Sequence, residues 1–202
     1  MSNTYSLKKD GSKKLSANFK VSEFACKDGS DSIIIDLELV KVLQKIRDHF
    51  GKAITINSAY RNATYNKKIG GASKSQHIYG TAADIVVSGV SPEKVAQYAE
   101  YLMPNKGGIG LYPTFTHIDV RASRARWKNN GKEIAVSGFA GYKEPSKKLE
   151  TGNDIIWELM NGKHKIKIDD VNKAVKALDK AKDNPDFMSL YWILYKVVNG
   201  NG

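Results

Sequence analysis

Ser75-Gln76-His77-Ile78-Tyr79-Gly80-Thr81-Ala82-Ala83-Asp84 is the stretch that decides how the rest of the chain is read. It sets an imidazole and a carboxylate seven residues apart around a glycine and small-residue turn. A single helix face does not present both in the usual four-residue step, so the stretch reads as a turn at Gly80 that leads into a strand, Ala82 to Val87, carrying Asp84. A third candidate, His117, follows 33 residues after Asp84. Neutral imidazole and carboxylate are the donors that hold a catalytic zinc ion while leaving one position to water. Any of the three alone is more often an ordinary polar residue, and it is the combination that carries weight.

Working outward, Ile54 to Tyr60 has the β-branched alternation of a strand and delivers Arg61 at its end. Asn62 to Lys68 reads as a short helix before Gly70-Gly71. Upstream, Leu39, Val40, Leu43, Ile46 and Phe50 recur at three- and four-residue steps after Asp36, giving an amphipathic helix that Gly51 ends. Downstream, Ser91-Pro92-Glu93 opens a helix to about Met103, Ser suiting the N-cap and Pro the first turn. Gly107-Gly108 and Tyr112-Pro113 bracket a short strand, and Phe115 to Arg121 form another. This order predicts an α+β domain, a small antiparallel sheet with flanking helices, over residues 1–137.

Residues 1–20 show no period and read as a tail with a short extended piece at Leu15 to Phe19, followed by a helical turn at Val21 to Phe24 capped by Ser22. Gly138 to Asn153 has the composition of a linker. Beyond it, residues 154–202 carry three amphipathic patterns that predict a small three-helix module. Trp157, Tyr191, Trp192 and Tyr195 fall there, mostly at core spacing.

Composition narrows the class. With 41% hydrophobic and 26% charged residues, the chain is an ordinary globular protein rather than a disordered one. No apolar run reaches the ~18 residues needed to span a bilayer, so membrane insertion is not expected. Met1 to Lys20 lacks the apolar stretch of a secretory signal. Cys26 is the only cysteine, so no internal disulfide forms and the thiol reads as a buried one. The net charge of +11 is concentrated before residue 138, where 21 Lys and Arg face 12 Asp and Glu, against 11 and 9 afterwards. Such a field favours polyanions, an anionic cell wall among them. No nucleic-acid motif accompanies it. The oligomeric state is open.

His117-Ile118-Asp119 puts a second carboxylate on the strand face of the third candidate ligand, roughly 6.5 to 7 Å away along the backbone. Two roles are open to Asp119: a general base toward a water on the same ion, or an outer partner that orients the imidazole or pairs with Arg121.

Taken together, Ser75-x-His77-x-x-Gly80-x-Ala82-x-Asp84, the upstream Tyr60-Arg61 and Gly70-Gly71-Ala72, and the downstream Thr116-His117-Ile118-Asp119 resemble the zinc peptidases of the D-Ala-D-Ala carboxypeptidase and L-alanyl-D-glutamate endopeptidase family, whose fold is shared with hedgehog-like domains. The resemblance covers about residues 18–127. It implies that His77, Asp84 and His117 bind Zn2+, that Arg61 and Ser75 hold the substrate with Arg61 also assisting catalysis, and that Asp119 serves as catalytic base. Many relatives place the acid three residues before the last histidine, where this chain has Thr114. The implied activity is hydrolysis of an amide in peptidoglycan stem peptides or cross-links, with peptidoglycan as the partner. An enzyme joined by a linker to a small module also resembles phage endolysins, which are made without a signal peptide and reach the wall after holin-dependent release. The competing expectation is a wall-binding module that keeps zinc and has lost catalysis.

Other residues read as packing or surface. Arg61 alone would suit a surface ion pair, and Ser75 a cap. Tyr79 and Tyr112 flank the ligands but suit packing better than chemistry, Trp127 with Arg121, Arg124 and Arg126 suits a solvated charged turn, and His49 and His164 stand without companions at ligand spacing.

Overall fold

The first twenty residues are not a tail. In the computed structural model, which describes residues 2–143, strand β1 (Ser2–Ser6) runs antiparallel to β2 (Ser32–Asp36), with Ser2 opposite Asp36 and Ser6 opposite Ser32. A single helical turn, α1 (Leu7–Asp10), follows, with the Ser6 hydroxyl accepting from the Lys9 N–H. Phe19 is buried against Phe24, so this segment is anchored by its aromatic residues rather than by any period. The 3-10 turn at Val21–Phe24 is present, but its cap position is Lys20, and Ser22 lies inside the turn.

Helix α2 (Leu37–Phe50) forms as its periodicity predicts. Asp36 caps it by accepting from the Glu38 N–H at 2.9 Å, and Gly51 closes it in the left-handed region. Its stripe of Leu39, Val40, Leu43 and Ile46 is buried. After β3 (Ile54–Ser58) and the short α3 (Ala63–Lys68) come a 3-10 turn at Gln76–Tyr79 and β4 (Ala82–Val87). Helix α4 (Pro92–Leu102) has its predicted Ser91 cap and Pro at the first position. Four strands complete the fold: β5 (Gly108–Leu111), β6 (Thr116–Asp119), β7 (Ala125–Asn129) and β8 (Glu133–Ala135).

The main sheet has the order β3-β4-β6-β5-β7-β8. It is larger than the small antiparallel sheet expected and is mixed, because β7 pairs parallel to β5. Among the described residues, no helix is long and apolar enough to cross a membrane.

Alternation along the strands separates the two faces of this sheet. One row of register partners is Ala83, Ile118, Ile109 and Arg126, and these residues, with Ile85, face α2 and α4. The neighbouring row is Asp84, His117, Gly110 and Trp127, on the opposite face. The packing of one face therefore places the polar row of the other.

The segment from Arg121 to Trp127 is structured rather than a solvated turn. Arg126 is buried on the helix side: its Nε donates to Glu100 at 2.6 Å, Nη1 to the carbonyls of Gly107 and Ala125, and Nη2 to that of Met103. Arg124 donates to the same Glu100 carboxylate and to the Pro104 and Ser137 carbonyls. Packing also runs past Gly138, since Phe139 is buried in the core and its N–H meets Glu100 at 3.3 Å. The rest of the expected linker and the three-helix pattern, with His164 and its aromatic residues, lie outside the described residues. His49 stacks on Tyr98 at 3.7 Å between ring centroids, within an aromatic group, and Cys26 is buried.

Candidate metal centre

Two local features bring His77 to the sheet. Gly80, with φ of +69°, turns the chain after the 3-10 segment, and a Cβ there would lie 2.2 Å from the Ile34 carbonyl oxygen. Only glycine meets both demands. The Gly80 carbonyl in turn accepts from the Asp36 N–H at 2.9 Å, tying the turn to β2. His77 is then held over the end of β3, its Nδ1–H donating to the Ala59 carbonyl at 2.7 Å, which leaves the lone pair on Nε2, the nitrogen that faces Asp84.

Asp84 and His117 are direct partners across β4 and β6, so register rather than sequence spacing makes them neighbours. Asp84 Oδ1 is 2.8 Å from His117 Nδ1 and 3.4 Å from His77 Nε2. The three residues are buried, and one donor atom from each falls within 4.8 Å of the others. The structure therefore brings together the whole expected ligand set.

Each of these side chains is also gripped from outside, as metal ligands generally are. His77 has Ala59. Asp84 has Arg61, whose Nη2 donates to Oδ2 at 2.7 Å while its Nε donates to Ser58 Oγ at 2.8 Å. His117 has Asp119, with Nε2 and Oδ2 3.1 Å apart. The set fits a small divalent cation: two imidazoles and a carboxylate, with the atoms not aimed at the centre already satisfied.

The electrostatics follow from burial and these bonds. Burial pushes the His77 imidazole below its ordinary value, against the pull of Asp84. For Asp84 burial acts upward, but hydrogen bonds from His117 and His77 outweigh it and hold the carboxyl well below the usual range. Burial would likewise lower His117, yet its bonds to Asp119 and Asp84 prevail and raise it to about 9. Asp119 stays ionised because His117 and Arg121 overcome its own desolvation.

Asp119 sits against the outer nitrogen of His117, the position of an orienting partner. It is fully buried, and the His117 ring presents Nδ1 to Asp84 and Nε2 to Asp119. Its Oδ1 accepts from the Gly108 and Arg121 N–H groups, and Arg121 Nε and Nη2 close around the carboxylate at 2.6 to 3.0 Å. Both carboxylate oxygens thus accept hydrogen bonds from the protein. Gly108 makes the arrangement possible, since a Cβ there would meet Oδ2 at 2.0 Å.

Arg61 is only 14% exposed and is committed through Nε and Nη2, with no partner at Nη1 among the described residues. Ser75 stands at the cap position of the 3-10 turn without making a side-chain cap bond. Tyr79 is 50% exposed. Tyr112 receives the Trp127 Nε1–H at 3.2 Å and stacks on Phe115. Trp127 itself lies beside His117, with ring centroids 5.1 Å apart, a neighbour that sequence reasoning did not place at the site. The signal that could have found it is Gly110, the small residue that shares its row.

Residues 17–119 match the sequence profile of a family described as Peptidase M15. The chain is 50% identical over 44 residues to the zinc D-Ala-D-Ala carboxypeptidase of Streptomyces albus G, which covers 21% of this chain and 17% of that protein. It is 39% identical over 82 residues to the probable peptidoglycan L,D-endopeptidase MepK of Haemophilus influenzae, covering 37% and 42%. The chain thus spans less than half the length of either of these curated relatives.

Proposed function

The chain belongs to the peptidase M15 family, and from that premise we propose that it is a zinc-dependent peptidase hydrolysing an amide bond in peptidoglycan stem peptides or cross-links. The observation that carries the reading is the convergence of His77 Nε2, Asp84 Oδ1 and His117 Nδ1, each with its outer side already held. Names of the two relatives, one a zinc carboxypeptidase and one a probable peptidoglycan endopeptidase, support both the metal and the substrate class.

In this reading His77, Asp84 and His117 hold the ion. When bound there, zinc supplies Lewis acidity toward an amide carbonyl and acidifies a water molecule. The remaining residues organise the site. Asp119 fixes the tautomer and tilt of His117, and Arg61 orients Asp84 while offering Nη1 to a substrate carbonyl or carboxylate. Ser75, whose hydroxyl makes no cap bond at the edge of the turn, is a substrate contact in this reading. The excess of positive charge favours approach to an anionic wall. Release to the wall through a holin, as for a phage endolysin, and wall binding by residues 154–202 belong to the same proposal.

A second reading, a wall-binding module that retains zinc without catalysis, has two observations in its favour. Thr114 occupies the place of the acid in many relatives, and Asp119 has both oxygens engaged. Mass spectrometry of fragments from defined peptidoglycan separates the two. New termini at one type of amide bond establish the peptidase and identify the bond, while zinc-loaded protein that binds walls and releases no fragment establishes the module.

A further inference from the structure

The row of the sheet that carries Asp84 and His117 continues onto Gly110 and Trp127, away from Arg61. Because Gly110 has no Cβ, the Trp127 indole lies against its backbone; a Cβ there would meet ring carbon Cε2 at 2.4 Å. The bond from Nε1 to Tyr112 sets the rotation of the indole, and Phe115 stacks behind Tyr112 at 4.2 Å. The Arg121 guanidinium lies over this ring, its Cζ 5.9 Å from the centroid. Asp119 grips it along the Nε and Nη2 edge, yet the side chain keeps 29% exposure, twice that of Arg61. Among the described residues Nη1 has no partner.

We propose that Arg121 and Trp127 form a carboxylate-binding subsite on the β5 and β7 side of the metal ligands, reading an anionic residue of the substrate close to the scissile amide. The proposal rests on the peptidase reading above. A guanidinium already oriented by a buried carboxylate loses little freedom when it takes a second anion, and its planar edge suits a carboxylate. The rigid indole beside it offers a flat apolar surface to the carbon skeleton of the same residue. Net charge permits this: Asp119 neutralises one positive charge, but the neighbouring ion would restore a positive field. In a stem peptide the carboxylate has two sources, the C-terminus and an interior acidic residue.

Synthetic stem peptides distinguish them. One keeps both carboxylates, a second carries a C-terminal carboxamide, and a third has the interior acid amidated. Zinc-loaded wild type and Arg121→Gln are compared on all three, with kcat and KM separated and zinc content measured. One amidation is expected to lower wild-type kcat/KM by about 10- to 100-fold, the loss of one charge-assisted bond, chiefly through KM. Which amidation does so names the source. Arg121→Gln should show the same loss on the unmodified peptide and be indifferent to that amidation. Equal losses for Arg121→Gln on all three peptides would mean that Arg121 acts only by holding Asp119, and wild type indifferent to both amidations would overturn the subsite outright. If Arg121→Gln fails to retain zinc, the wild-type contrast together with Trp127→Leu, which leaves the Arg121–Asp119 pair in place and should raise KM, still decides. No hydrolysis of any peptide by zinc-loaded wild type overturns the peptidase reading instead.

Discussion

A proton and a zinc ion compete for Nδ1 of His117, and the competition makes metal affinity and stability depend on pH in opposite directions. Without metal, His117 lies between Asp84 and Asp119 and is protonated up to about pH 9. Its folded value is raised above the unfolded ~6.5. The contribution to stability is therefore complete below about pH 6.5 and lost as pH rises to about 9, a change on the order of 3 kcal/mol at 1.36 kcal/mol per unit. Asp84 and Asp119, both depressed, add stability that is lost only in acid, below the usual carboxylate range. Zinc must displace the His117 proton, whereas His77 is already shifted toward its neutral form. At pH 7 the proton costs about two units, or roughly 100-fold in affinity. Calorimetry near pH 6.5 in two buffers of different ionisation heat should count about one proton released per zinc, and affinity should rise about tenfold per pH unit from there. Denaturant unfolding of the zinc-free protein should show stability falling between pH 6.5 and 9. Flat zinc-free stability over that range, with no proton released on binding, would refute the reasoning.

Other consequences follow from the same contacts. Gly108→Ala puts a methyl where the Asp119 carboxylate lies, so zinc affinity measured by chelator competition should fall about 10- to 100-fold, as for loss of an outer ligand partner. Arg126→Ala removes a guanidinium with no exposed surface, takes one of two arginine partners from Glu100 and leaves the Gly107 and Met103 carbonyls without that donor; urea unfolding should show a loss of about 2 to 4 kcal/mol. Asp119→Asn keeps the shape but weakens the hold on His117 and Arg121, and it should lower zinc affinity about tenfold or more. If Asp119 acts on His117 alone, activity at saturating zinc should largely return in that variant, whereas a base would leave kcat depressed.

The features that could be read in the sequence are those carried by period or residue type. Leu39, Val40, Leu43 and Ile46 announce α2 because one helix face must be apolar, and Ser91-Pro92 announces the start of α4. His77, Asp84 and His117 stood out as donor types, although only the β4–β6 register shows that Asp84 and His117 are opposite each other. Strand β1 was hidden because its five residues are short, polar and exposed or half-exposed, and its partner lies some thirty residues away. Arg126 reads as solvated until Glu100, 26 residues upstream, and the surrounding carbonyls account for its charge. Gly108 and Gly110 resemble turn residues; their use as space for Asp119 and Trp127 depends on cross-strand neighbours that a linear reading does not contain.

The central claim is that His77, Asp84 and His117 hold a zinc ion that serves amide hydrolysis, and it is tested most directly by adding zinc back to chelator-stripped protein acting on purified peptidoglycan. Stripped wild type should release no new peptide termini, and one equivalent of zinc should restore release, while Asp84→Ala, confirmed folded, should remain inactive with the same addition. Hydrolysis by the stripped protein at the undiminished rate, or none by wild type with one zinc verified per chain, would contradict it.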